Sequence, residues 1–242
     1  MSLYYSPSLH SIATTIGANP PGDRRVGRDD PSYPSLLRTI SDPPQDLYVR
    51  GAGPLELLEQ PCVAIVGARV CSSYGSYVAY LLAKELAAAG IVVVSGLARG
   101  IDAAAHRGAL DAGGRTVAVL GCGIDRDYPP AHAGLAHRIV SEGGLIVSEY
   151  PPGTEPAPWR FPARNRIIAG LSAATIVVEA RERSGALITA DFALEEGRKV
   201  FAVPGEITIA TSVGPNNLLK NGAGLVTGAK DVLDWLDQQK EE

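Results

Sequence analysis

Five arginines, Arg160, Arg164, Arg166, Arg181 and Arg183, fall within 24 positions that hold only two acids, Glu179 and Glu182. A guanidinium is a planar fork of donors that meets a phosphate at two points, so such a cluster favours specific recognition of anions over diffuse attraction. Arg164 and Arg166 lie near a predicted helix start, where cations oppose the helix dipole and need another reason to be present; an anionic ligand is one. Trp159 and Phe161 beside them offer a stacking face. Stacking joined to arginine–phosphate contact is how unpaired nucleic-acid strands are held. A solvated basic face beside buried aromatics is the plainer alternative.

Two glycine-bearing loops add to this. The first follows an apolar run and reads Val66-Gly67-Ala68-Arg69, then Ser72 and Ser73 ahead of a helical pattern. Gly67 would let the chain pass close to a phosphate, Arg69 could pair with it, and the serine hydroxyls and helix amides could donate. An ordinary strand-to-helix turn fits the same residues. The second loop is SGLARGIDAAAH at 95–106, with Asp102 as the expected N-cap of the next helix. Asp102 and His106 stand at i, i+4; with no nucleophile beside them they read as a structural pair that fixes the loop, rather than as an acid–base dyad. The chain contains neither G-x-G-x-x-G nor G-x-x-x-x-G-K-[ST], which removes the usual signals for a dinucleotide enzyme or an NTPase. No metal set is visible, so no cofactor is expected.

These loops need a scaffold, and the sequence supplies its pattern. Short apolar runs at 62–66, 91–94, 116–120, 145–147, 175–178 and 200–203 read as strands buried on both faces. Helical patterns at 77–89, 103–112, 133–142, 164–171, 186–196 and 231–238 alternate with them, several ending in glycine (Gly90, Gly113, Gly197). Strict alternation of this kind specifies an α/β fold, a mostly parallel, doubly wound sheet with helices on both faces. Residues 1–30 read as an irregular, turn-rich leader and 31–242 as one domain, with 47–49 as an edge strand. The 242 residues are 45% hydrophobic, enough for a substantial core. A net charge of −4 argues against coating nucleic acid through the overall field but leaves a local site open, and 17 of the 22 basic residues are arginine. Cys62, Cys71 and Cys122 are few and far apart and read as core-filling thiols. No apolar run is long enough to span a bilayer, and the first residues lack a signal-peptide pattern, so a cytoplasmic protein is expected.

Several strings, taken together, resemble the DprA/Smf family: AIVGAR at 64–69, SGLARGIDAAAH at 95–106, SEYPP at 148–152, FPARNR at 161–166, VEA at 178–180 with SG at 184–185, and VPG at 203–205. The resemblance covers roughly residues 31–228. It implies an extended Rossmann-like fold and a homodimer that binds single-stranded DNA without strong sequence preference, performs no chemistry on it, protects it, and loads the recombinase RecA during natural transformation. By motif position it places Arg69, Ser95, Gly96, Arg164, Asn165 and Arg166 in a DNA-backbone pocket with Phe161 as a base contact. Gly67, Arg99 and Ser184 complete the expected site from the loops themselves, and Arg160 from local charge. Family members often carry an N-terminal SAM-like and a C-terminal winged-helix domain, which this chain is expected to lack.

Two rivals share the sheet. The LOG-like nucleotide N-glycosidases rely on a P-G-G-x-G-T-x-x-E loop, where this chain reads EARERSGALIT at 179–189. A nucleotide sensor could use the Gly67 and Gly96 loops for a single phosphate, and the sequence discriminates poorly against it.

Overall fold

The alternating runs build a nine-stranded sheet in the computed structural model, which describes residues 23–240. The elements follow in the order β1 (Arg24–Gly27), α1 (Ser35–Arg38), β2 (Asp46–Arg50), β3 (Cys62–Val66), α2 (Ser73–Ala88), β4 (Val92–Ser95), α3 (Ile101–Asp111) and β5 (Thr116–Leu120). Then come α4 (Ala133–Ser141), β6 (Leu145–Ser148), α5 (Arg160–Gly170), β7 (Ala174–Val177), α6 (Gly185–Glu195), β8 (Lys199–Ala202), α7 (Val213–Lys220), β9 (Gly224–Leu225) and α8 (Ala229–Gln238).

The strand order is β1-β2-β6-β5-β4-β3-β7-β8-β9, parallel throughout except where β2 pairs antiparallel with both β1 and β6. Growth of the sheet runs from β3 out to β6, then returns to the other side of β3 with β7. The loops leaving β3 and β7 therefore diverge and open a crevice at the carboxyl ends of the strands, where doubly wound sheets bind ligands.

Alternate residues of one strand serve opposite faces, as the period of two requires. Cys62, Ala64 and Val66 of β3 pack with α1, α5 and α6. Val63 and Ile65 pack instead against α2, α3 and α8. A third cluster joins α3 and α4 to Ala118, Leu120 and Ile146. Helices α2, α3 and α6 stop where expected, at Gly90, Gly113 and Gly197, all with positive φ.

The sequence reading needs correction at several points. Arg24–Gly27, placed in an irregular leader, is strand β1, and residues 1–22 of that leader lie outside the described residues. Residues 47–49 belong to β2, an interior strand, because β1 folds over its outer edge. Helix α5 begins at Arg160, not 164: Pro162 sits in the first turn, where its missing N–H is no loss. Helix α2 begins at Ser73, because Ser72 caps it by accepting from the Gly75 N–H at 2.9 Å. Helix α7 and strand β9 have no counterpart in the sequence reading; the α7 segment, VGPNNLLK, opens with weak helix formers and is held by packing of Leu218 on the core. Cys62 and Cys122 are buried free thiols and Cys71 is partly exposed. Among the described residues no helix is long and apolar enough to cross a membrane.

Candidate functional site

The β4–α3 loop is shaped from within. Oδ2 of Asp102 accepts from the Gly96 N–H at 3.1 Å and the Ala98 N–H at 3.4 Å, which turns the chain back on itself. Between them Leu97 takes φ 57°, a costly conformation for a branched residue, and its carbonyl accepts from Nδ1 of His132 at 2.8 Å. Asp102 thus lies in the first turn of α3 and binds loop amides, whereas the N-cap position is Gly100. Nor does it pair with His106. That ring meets Oγ1 of Thr116 at 2.7 Å, and because this hydroxyl donates to Val93 O it must accept from Nδ1–H. Burial drives the His106 pKa down to about 3, so the imidazole is a neutral core group.

Arg164 forms the floor of the crevice. It is 5% exposed, with Nη1 donating to Gly96 O at 2.8 Å and to Val119 O, and Nε donating to Oδ1 of Asn165 at 3.0 Å. Asn165 in turn donates to Gly185 O at 3.0 Å, so one side chain ties α5 to the start of α6. Burial pushes the Arg164 pKa down and the Asp102 carboxylate nearby pushes it back up. The same burial raises the Asp102 pKa, with Arg164 opposing. With Nε and Nη1 committed, Nη2 is the donor left for a ligand at the cavity wall. Gly96 is required for this arrangement, since a Cβ there would stand 2.5 Å from the guanidinium carbon.

Above the floor stands an aromatic stack. The Arg69 guanidinium lies 5.6 Å from the Phe161 ring centre, and Phe161 stacks on Tyr128 at 5.2 Å with 26° between planes. Two adjoining cavities share this wall. One, of about 210 Å³, is lined by Gly67, Arg69, Asp102, Phe161, Arg164, Asn165 and the α6 start at Ser184 and Gly185. The other, of about 400 Å³, is lined by Gly96, Arg99, Tyr128, Pro130 and again Arg69, Phe161 and Arg164. Ser184 caps α6, its Oγ accepting from the Ala186 N–H at 3.3 Å.

The structure therefore brings together Gly67, Arg69, Gly96, Arg99, Phe161, Arg164, Asn165 and Ser184. Three expected residues are elsewhere. Ser95 is fully buried and donates to Ile65 O at 2.7 Å, clasping β4 to β3. Arg166 holds Glu149 through both terminal nitrogens at 2.8 Å and Asp42 through Nε at 2.9 Å, which spends its donors away from the cavities. Arg160 lies 4.9 Å from the Tyr150 ring and 4.7 Å from Trp159, and lines neither cavity. The α2 start is also closed to an anion, because Glu179 already sits there, accepting from the Ser72 N–H at 2.9 Å and its hydroxyl at 2.5 Å. Tyr128 escaped the sequence reading; the signal was an aromatic before Pro129-Pro130, in a loop leaving a strand end.

The family model for DNA recombination-mediator protein A matches residues 24–237. Escherichia coli protein Smf is 44% identical over 216 residues, covering 89% of this chain and 57% of that protein. The chain belongs to the DNA recombination-mediator protein A family. The solved DprA of Streptococcus pneumoniae superposes with a TM-score of 0.81 at 46% identity, covering 88% of this chain and 74% of that one. The Helicobacter pylori family member, solved for insight into its single-stranded DNA binding mode, superposes with a TM-score of 0.76 at 32% identity, covering 86% of this chain and 94% of that one. The family thus covers the whole doubly wound sheet. This chain spans little more than half the length of several curated DprA/Smf relatives.

Proposed function

We propose that this domain binds single-stranded DNA in the paired cavities at the carboxyl ends of β3, β4, β5 and β7, and performs no chemistry on it. The observation that carries the reading is the buried Arg164 guanidinium, with a donor left at the wall of a cavity whose other side is the Arg69–Phe161–Tyr128 stack. Arg69, Arg99 and Arg164 hold phosphates, while Phe161 and Tyr128 present a face to an unpaired base. A duplex keeps its bases in the stack and cannot offer them to this face. The single-stranded DNA binding of the H. pylori relative supports the choice of ligand. On the same reading the protein works in the cytoplasm as a homodimer, protects incoming strands and hands them to RecA.

The test is fluorescence anisotropy of a labelled oligo-dT, with unlabelled oligo-dT, duplex and thymidine monophosphate as competitors. Salt-sensitive binding displaced by single strands alone is expected. Equal displacement by the mononucleotide would replace this reading with a nucleotide sensor.

A further inference from the structure

The β3–α2 connection runs from Arg69 at the cavity wall through Val70 and Cys71 to Ser72, and there it enters a third, more open concavity of about 540 Å³ between α2 and α3. Its walls are Ser73, Ser76, Tyr77 and Tyr80 of α2 and Ala104 and Arg107 of α3. Tyr77 is 62% exposed, its ring free of the core that α2 buries on its other face. Arg107 is exposed as well. The acid best placed to neutralise it, Asp111 one turn along α3, is taken by Oη of Tyr80 at 3.2 Å and by Arg138 at 3.0 Å. Farther along α2 a second cation, Lys84, lies 6.0 Å from the Tyr80 ring. Hydroxyls, a bare aromatic face and the unneutralised Arg107 thus line a groove that starts beside the first site, with Lys84 beyond its far end at Tyr80.

Resting on the single-strand reading above, we propose that a DNA strand seated in the cavities leaves past Arg69 and continues into the α2–α3 groove, with Arg107 on a phosphate and a base stacked on Tyr77. The chemistry matches: single-strand channels combine a cationic track with aromatic platforms and need no sequence readout. The length matches too. From Ser73 to Tyr80 the helix rises about 10 Å at roughly 1.5 Å per residue, and a stacked strand with a phosphate every 3.4 Å or so places about three phosphates along it. The lining of serines, tyrosines and one arginine supplies donors, a charge and stacking faces, which is the set a single strand uses.

The test is anisotropy with labelled oligo-dT of graded length, from about 4 to about 20 nucleotides, on the intact protein and on Tyr77→Ala, Arg107→Ala and Arg69→Ala. Both groove residues are exposed, and circular dichroism checks that the variants fold. Wild-type affinity should keep rising with length after the cavities are filled. Tyr77→Ala and Arg107→Ala should flatten that rise, weakening the longest oligonucleotide by about fivefold or more and leaving the shortest one that binds unchanged. Arg107→Ala should also reduce the slope of log K against log salt by about 0.7, one phosphate contact. A 5-iododeoxyuridine oligonucleotide should photocrosslink to the peptide bearing Tyr77. If both variants match wild type at every length while Arg69→Ala weakens binding, the groove is empty and the proposal falls, with the cavity reading intact. If wild type binds no oligonucleotide, the cavity reading falls and takes the groove with it.

Discussion

Gly96 and Arg164 should behave as one unit, and a double-mutant cycle measures it. Gly96→Ala places a methyl 2.5 Å from the Arg164 guanidinium carbon. The guanidinium cannot yield locally, because it is buried and bonded to Gly96 O, Val119 O and Asn165. Displacing it forfeits at least the charge-assisted bond to Gly96 O, worth roughly 1.5–3 kcal/mol. Gly96 does not adopt a positive φ, so the alanine meets no backbone strain and recovers about 0.4–1 kcal/mol through the unfolded chain. The net expectation is a loss of about 1–2 kcal/mol in the native background. In an Arg164→Ala background the clash has no target, and the same change should be neutral or slightly stabilising. Urea unfolding of the four proteins should thus give a coupling energy of about 1.5–3 kcal/mol. A coupling below about 0.5 kcal/mol, the additivity limit for independent sites, would refute the claim that Gly96 exists to admit Arg164. The two single variants should both weaken oligo-dT binding, since each moves the cavity donor.

Arg69→Ala and Arg166→Ala should separate cleanly. The exposed Arg69 should leave the urea midpoint unchanged and weaken oligo-dT binding about tenfold, a loss of one phosphate fork and its stacking contact. Arg166→Ala should cost about 2–3 kcal/mol of stability, less than a fully buried pair because Arg166 is 12% and Glu149 19% exposed, with binding by the folded fraction unchanged. Phe161→Ala and Tyr128→Ala should each weaken binding by about 1–3 kcal/mol, measured by anisotropy, and equal affinities to wild type would show that no base reaches the stack. His106, held neutral with a pKa of about 3, stabilises the fold fully above its unfolded value near 6.5. That stability is lost as pH falls from there toward 3, by up to about 1.4 kcal/mol per unit. The stability difference between wild type and His106→Asn should therefore shrink between about pH 6.5 and pH 4; a constant difference would mean that the histidine titrates normally.

The fold was legible because burial on both faces leaves a local mark. The runs at 62–66 and 116–120 match β3 and β5 residue for residue, and helices covering both faces are what such continuous apolar runs demand. The glycine ends of α2, α3 and α6 were equally legible, since a positive φ is a local requirement. The family motifs, read in order, placed the crevice and Arg69, Gly96, Phe161, Arg164 and Asn165 on its walls.

What the sequence left undecided was which side of each element faced the crevice and which partner each polar group had found. Arg164 and Arg166 are two residues apart, so on a helix of 3.6 residues per turn they point nearly opposite ways. One floors the cavity and the other clasps Glu149 and Asp42, and only packing of α5 against the sheet decided which. Ser95 resembles a ligand-binding group until Ile65 O is brought beside it, and nothing local announces that Glu179 holds the α2 start. Asp42, Glu149 and Arg166 are spread over more than a hundred positions, as are Ser72 and Glu179. Residue types and helix periods are properties of the chain, but the pairing of charges so far apart exists only once the sheet has closed its loops on one another.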